Sequence, residues 1–290
     1  MHPAPSVILF STLSGMGLGL LAFLGAGLAD ATGWAAFGWW GLGNGLAVGG
    51  LLASTFHLGN PRRALKAFSQ WRTSWLSREA WAAVSALILL APVALGDIFA
   101  LPVPELMGQL GALLAMLTVF TTAMIYTQIR AVPRWHHWIT PMMFLGFAVT
   151  GGAVLAGQVW AGWCLALLSP LLLWYWRLGD GQFGRAAQNL GTATGLGAIG
   201  LVTPFEQAHT AGNYLLAEMI FVVGRKHAEK LRIIALTLAS ALPALILVLA
   251  PLVPATFALV ALIHLTGAMA QRWLFFAEAE HVVGLYYGKR

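Results

Sequence analysis

The sequence predicts an all-α, polytopic membrane protein, a single domain over residues 1–290 built as a bundle of eight transmembrane helices, and three observations predict it. First, 59% of the residues are hydrophobic and 9% charged, whereas a soluble domain carries about 25% charged side chains. Second, apolar runs of about 20 residues, long enough to cross a bilayer core, follow one another along the chain, and the mean hydropathy is +0.78. Third, the basic residues fall only in alternate links between those runs, at the helix ends beside them, or in the carboxyl-terminal tail. Together these exclude a soluble globular enzyme. The one cysteine, Cys164, lies inside an apolar run, so the chain forms no internal disulfide and supplies no thiolate set for a cluster or a zinc site. The net charge of +6 could suit nucleic acid, but its carriers sit between apolar segments. That placement points to anionic lipid or an acidic partner surface, and to no nucleic acid. No basic region precedes the first apolar run, so no cleavable signal is expected.

The runs place spans at 7–28, 36–57, 80–100, 106–130, 139–159, 161–177, 233–250 and 254–277. The first two carry the glycine clusters Gly15-Met-Gly-Leu-Gly and Gly41-Leu-Gly-Asn-Gly45. With no strand before them, these read as close helix packing and not as nucleotide loops. Short links at 29–35, 101–105, 160 and 251–253 join spans one to two, three to four, five to six and seven to eight. Longer polar stretches remain at 58–79, 131–138 and 178–232, together with the tail from 278. Eight spans put the amino terminus, those three links and the carboxyl terminus on one face. All 16 basic residues lie on that face or at its helix ends, and the opposite face holds only Asp30, Asp97 and Glu105. Lysine and arginine in short loops mark the cytoplasmic side, so the basic face is expected to be cytoplasmic. Within 178–232, Gly/Asn/Thr-rich turns give way to Leu215, Glu218, Met219 and Val222 at helical spacing. This predicts an interfacial helix over 214–230, where a partner could dock. Tryptophans near span ends, among them Trp39, Trp40, Trp135 and Trp138, read as an aromatic belt.

Residues 57–79 concentrate the chemistry, with five basic side chains, a histidine and a carboxylate between two apolar segments. His57 ends span two just before Gly59 and Pro61, which stop a helix. Its imidazolium either complements the dipole at that helix end or exchanges a proton with a quinone carbonyl, a role suited to a group that titrates near neutrality. Glu79 has the same two readings. Ser77 caps span three and a carboxylate suits the positive helix end, or Glu79 shares proton traffic with His57. Trp75 and Arg78 stand nearby, and Arg62 or Arg78, permanently protonated, would hold negative charge developing on the quinone oxygen. His264, the only histidine well inside a span, reads as a buried, hydrogen-bonded core residue. The sharper alternative is a b-type haem, which would need a second imidazole at suitable depth, and only His57 offers one, marginally. A small-solute transporter is the rival from another class, with Asn44 or Gln158 lining a path. No inverted repeat or matched pair of broken helices supports it.

The stretch His57-Leu-Gly-Asn-Pro-Arg-Arg-Ala, followed by Ser74-Trp-Leu-Ser-Arg-Glu79, resembles the membrane anchor subunits of dimethyl sulfoxide reductase type molybdoenzymes, the molybdopterin oxidoreductase anchor family. Further similar segments run from Tyr126 to Trp135, from Ala208 to Arg232 and from Arg272 to Gly288. The resemblance implies a haem-free anchor of eight helices in the cell inner membrane. It implies a molybdopterin-bearing catalytic partner and an iron–sulfur electron-transfer subunit, and electron exchange with a quinone, menaquinone or ubiquinone. Molybdopterin and iron–sulfur clusters would belong to those partners alone, with no metal on this chain. The family's quinone-site histidine and glutamate map onto His57 and Glu79, and Arg62, Trp75 and Arg78 are the expected quinone-binding neighbours. Exported dimethyl sulfoxide reductases of this kind carry their catalytic subunits outside the cytoplasm, whereas quinone-linked sulfite dehydrogenases keep them inside. The basic face therefore favours the sulfite:quinone type, with a quinol-oxidising dimethyl sulfoxide reductase anchor as the alternative.

Overall fold

A backbone in hydrocarbon has no water to bond to and must satisfy its own polar groups, so long apolar runs become helices. The computed structural model describes residues 1–29, 31–57, 60–206, 213–220 and 222–288, with the side chains at 57, 61–63, 222 and 223 outside that description. Among the described residues all regular structure is helical, and eight long helices stand where the runs lie. They are α1 (Pro5–Gly25), α2 (Gly33–Ala53), α3 (Trp75–Phe99), α4 (Glu105–Thr127), α5 (Ile139–Leu155), α6 (Ala161–Arg185), α7 (Ala228–Leu249) and α8 (Pro254–Ala277). Five of them, α1, α3, α4, α7 and α8, are long and apolar enough to cross a membrane. Of the others, α5 is apolar but only 17 residues long, α2 is diluted by glycine, and α6 carries Arg177, Asp180 and Arg185 toward its end.

Several boundaries differ from those expected. Span two was expected to run to His57, but α2 stops at Ala53 and Ser54–His57 forms a separate 3₁₀ turn, so His57 follows the helix instead of closing it. In place of 80, α3 begins at Trp75, because hydropathy marks only the part of a helix that suits hydrocarbon and its first turns carry Ser77, Arg78 and Glu79. Ser77 is therefore no cap: it is buried inside the helix, and Ser74 holds the cap position without a side-chain bond. The link expected at 178–232 contracts at both ends, since α6 continues to Arg185 and α7 starts at Ala228. The interfacial helix expected over 214–230 is broken into Tyr214–Glu218 and Val222–Arg225 before α7 starts. The breaks fall at residues 219–220 and 226–227. A further short helix, Leu190–Thr194, is opened by a reciprocal cap between Asn189 and Thr192, with bonds of 2.9 and 3.0 Å.

The central helix is α1, which packs on α2, α4, α5 and α8. Small residues let the backbones close up. The buried residues of α2, Ala36, Trp40, Gly43, Ala47 and Gly50, recur at spacings of 4, 3, 4 and 3, a single seam along one side of the helix. Gly17 of α1 lies against Gly43 and Ala47 of that seam. On the α5 side, a methyl added at Gly152 would sit 2.5 Å from the Gly19 carbonyl carbon.

The two ends of the bundle differ in charge. At one, Asp97 accepts a hydrogen bond from Trp40 Nε1 at 2.8 Å, and Glu105 opens α4. At the other, the loop after α4, the end of α6, the start of α7 and the end of α8 meet in a four-residue ion network. Arg134 bonds Asp180 at 2.9 Å and Glu278 at 2.7 Å. Arg232 bonds Asp180 at 2.5 and 2.8 Å and Glu278 at 2.6 Å. Asp180 lies beyond the apolar stretch of α6. Burial pulls its carboxyl upward, but the hydrogen bonds from Arg232 and Arg134 outweigh it and hold it below its ordinary value. Trp40 and Trp135, expected in an interfacial belt, are instead buried. Each indole N–H has an internal acceptor, Asp97 for Trp40 and the Phe275 carbonyl at 2.9 Å for Trp135.

Candidate functional site

Between α2 and α3 runs a groove of about 660 Å³, a size typical of small-molecule sites. Its walls are apolar: Val48, Leu51 and Leu52 come from α2, and Ala83, Val84 and Leu87 from α3. Leu52 is 58% and Val84 37% exposed, so in a bilayer the groove opens sideways into lipid. Lys66 and Gln70 bring polar groups to it from the 3₁₀ segment Pro61–Phe68 and the turn that follows.

Glu79 is the acidic residue of this groove and is itself only 4% exposed. Its Oε1 meets the Thr122 hydroxyl of α4, which also donates to the Thr118 carbonyl one turn earlier at 2.9 Å. A hydroxyl carries one proton. With that proton on the Thr118 carbonyl, Thr122 accepts from a protonated Glu79, and with it turned to Oε1, Thr122 donates to the carboxylate. The pair thus accommodates Glu79 with or without its proton, as a group that passes protons must.

Of the other residues expected here, His57 is placed by its backbone. It ends the turn whose Ser54 and Thr55 line the groove, and its side chain, like that of Arg62, lies outside the described residues. Trp75 and Arg78 do not line the groove. Trp75 meets Phe120 of α4 edge-on at 6.2 Å. The Arg78 guanidinium lies 4.3 Å over Trp75 and bonds the carbonyls of Trp71 and Arg72 at 3.0 and 2.7 Å. Glu79 and Arg78 are about 100° apart around the helix, so they face different neighbours.

Thr122 is the member that reading the sequence missed. The signal was present as three hydroxyls, Thr118, Thr121 and Thr122, within one apolar run. Thr118 and Thr121 bond only carbonyls of their own helix, at 2.8 to 2.9 Å, and Thr122 alone reaches a second helix. His264 is fully buried, its Nδ1 2.6 Å from the Ala239 carbonyl and its ring beside Phe147, as a core histidine would be. Asn44 and Gln158 spend their amides on the backbone, at the Trp40 and Leu28 carbonyls.

Fold and groove define a helical membrane protein with a carboxyl group set into an apolar cleft open to lipid. The family model for the DMSO reductase anchor subunit (DmsC) matches residues 37–162, which cover most of α2, the 54–74 link, α3, α4 and α5. Over 336 aligned positions the chain is 31% identical to one of the sulfite dehydrogenase subunits of Allochromatium vinosum, covering 99% of each protein. No solved structure gives a significant match. The chain belongs to the anchor subunit family of dimethyl sulfoxide reductase type molybdoenzymes.

Proposed function

We propose that this chain is the quinone-reactive anchor of a three-subunit molybdenum oxidoreductase of the cell inner membrane, working as a sulfite:quinone oxidoreductase. All eight long helices span the bilayer in this reading, with both termini on the cytoplasmic side. The observation that carries it is the Glu79 carboxyl in a groove that opens to lipid, next to the turn that ends at His57. A quinone's ring and tail fit apolar walls of that volume, and bound quinone supplies two-electron, two-proton redox chemistry. Val48, Leu51, Leu52 and Leu87 would hold it. Glu79 exchanges a proton at its Oε atoms while Thr122 turns its hydroxyl to suit, and His57 is the second proton-exchanging group. Arg62, on the link above the groove, supplies positive charge to the quinone oxygen, whereas Trp75 and Arg78 face away from it.

The iron–sulfur subunit docks over residues 54–74 on the basic, cytoplasmic face, and the molybdopterin subunit lies beyond it. Sulfite as the substrate of that complex is supported by the full-length relative, which belongs to a sulfite dehydrogenase, and by the basic face, since arginine and lysine gather on the cytoplasmic side. The family model, named for dimethyl sulfoxide reductase, supports a second reading in which electrons run from quinol to the partners.

The test is the complex purified with its partners, its clusters reduced by sulfite and reoxidised by a quinone analogue. Glu79→Gln is expected to leave assembly and cluster reduction intact and to slow reoxidation by about two orders of magnitude. Loss of the partner subunits in that variant would make Glu79 structural. Clusters that ignore sulfite but are reoxidised by dimethyl sulfoxide would reverse the direction of electron flow.

A further inference from the structure

A second groove, of about 500 Å³, lies on the outer flank of α3 and α4. Its trough is made by small residues, Ala82 and Ser85, set between Trp81 on one side and Leu114 and Leu117 on the other. Arg78 and Trp71 close its upper end. We propose that it binds one anionic glycerophospholipid, with the phosphate at Arg78 and Arg72 and an acyl chain laid along Ala82 and Ser85.

Four features fit this occupant. The cations are built in: Arg78 is held by the Trp71 and Arg72 carbonyls and by the Trp75 ring, while Arg72 lies over Trp71 at 5.3 Å. Neither arginine forms an ion pair among the described residues, so the mouth carries positive charge that an anion would balance, and guanidinium groups suit phosphate. The wall is fixed as well, because Trp81 donates from Nε1 to the Phe68 carbonyl at 3.0 Å and meets the Phe68 ring edge-on at 5.4 Å.

Depth is the fourth feature. From Arg78 to Ser85 the helix descends about 10 Å, within the roughly 15 Å hydrocarbon depth of one leaflet. Arg78, Trp71 and Trp81 then stand at headgroup level, where tryptophan prefers to sit, and the trough stands at acyl-chain level. The site is independent of the Glu79 groove, which lies on another side of α3.

The test is native mass spectrometry of the intact complex through graded delipidation in mild detergent, comparing the unaltered chain with the Arg72→Gln/Arg78→Gln double variant and with Ser85→Phe, which fills the trough. The unaltered chain is expected to keep one phosphatidylglycerol or cardiolipin after other lipids have gone, and each variant to lose it at least tenfold more readily. If the double variant fails to assemble, Ser85→Phe decides, because it leaves the arginine hydrogen bonds in place. Equal retention in that variant, equal retention of phosphatidylcholine in exchange experiments, or a quinone as the retained molecule would overturn the proposal.

Discussion

At the scale of single residues, the site depends on which way neighbouring side chains turn. Glu79 was legible in the sequence because a carboxylate beside a long apolar run is costly unless it is used. Its partner was not, since a threonine in a helix usually bonds the carbonyl one turn back, as Thr118 and Thr121 do here. The orientation of Arg78 and Trp75 was hidden for a different reason. With span three read as capped by Ser77, Arg78 and Glu79 stood in its first turn, where the sequence does not say which neighbours each side faces, whereas a helix starting at Trp75 turns them to different sides. The Thr122–Glu79 bond gives a direct prediction. Thr122→Val, which keeps the shape and removes the hydroxyl, should slow quinone-coupled turnover about tenfold, the rate equivalent of a hydrogen bond to a charged group. Thr122→Ser should restore it, and both can be followed by the same cluster reoxidation.

At the scale of elements, the eight helices could be read from hydropathy because each must bury or shed a long apolar surface in one place. Their polar ends could not, because a helix carries on past the hydrocarbon into polar turns, as α3 does at its start with Ser77, Arg78 and Glu79 and α6 does at its end up to Arg185. Glycine clusters announced close packing without saying which glycines touch. The structure separates them: Gly152 lies on the Gly19 backbone of α1, whereas a methyl at Gly45 of α2 would meet nothing within 4 Å. Gly152→Ala should therefore destabilise the protein by about 1–3 kcal/mol, the cost of overpacking. Gly45→Ala should gain up to about 1 kcal/mol from helix propensity. Thermal unfolding in one detergent would distinguish them by the sign of the shift in Tm.

At the scale of the whole molecule, the sequence separated a basic from an acidic end but said nothing of pairing, because residues 134, 180, 232 and 278 are far apart along the chain. In the fold they meet as two arginines and two carboxylates that tie α6, α7 and α8 to the loop after α4. Asp180 is held below the ordinary aspartate value of about 3.9, although burial opposes this. A depressed acid contributes its stability above the unfolded value and loses it as pH falls through the lower folded one. On this account Tm should be flat from neutrality to about pH 5 and decline below about pH 4, and Asp180→Asn should make that decline shallower. Because Asp180 is 48% exposed, solvent screens the interaction and the effect should be modest.

The position of α1 also bears on how the protein is made. It leaves the ribosome before the helices that later surround it, so the segment with 78% of its apolar window buried in the finished bundle forms before those neighbours are made. Its hydroxyls suit that sequence of events. Ser11, Thr12 and Ser14 bond the carbonyls of Val7, Ile8 and Phe10 within the same helix, at 2.6 to 2.9 Å, and so need no partner that has yet to be synthesised. The helix can wait, its polar groups already satisfied, until its neighbours arrive.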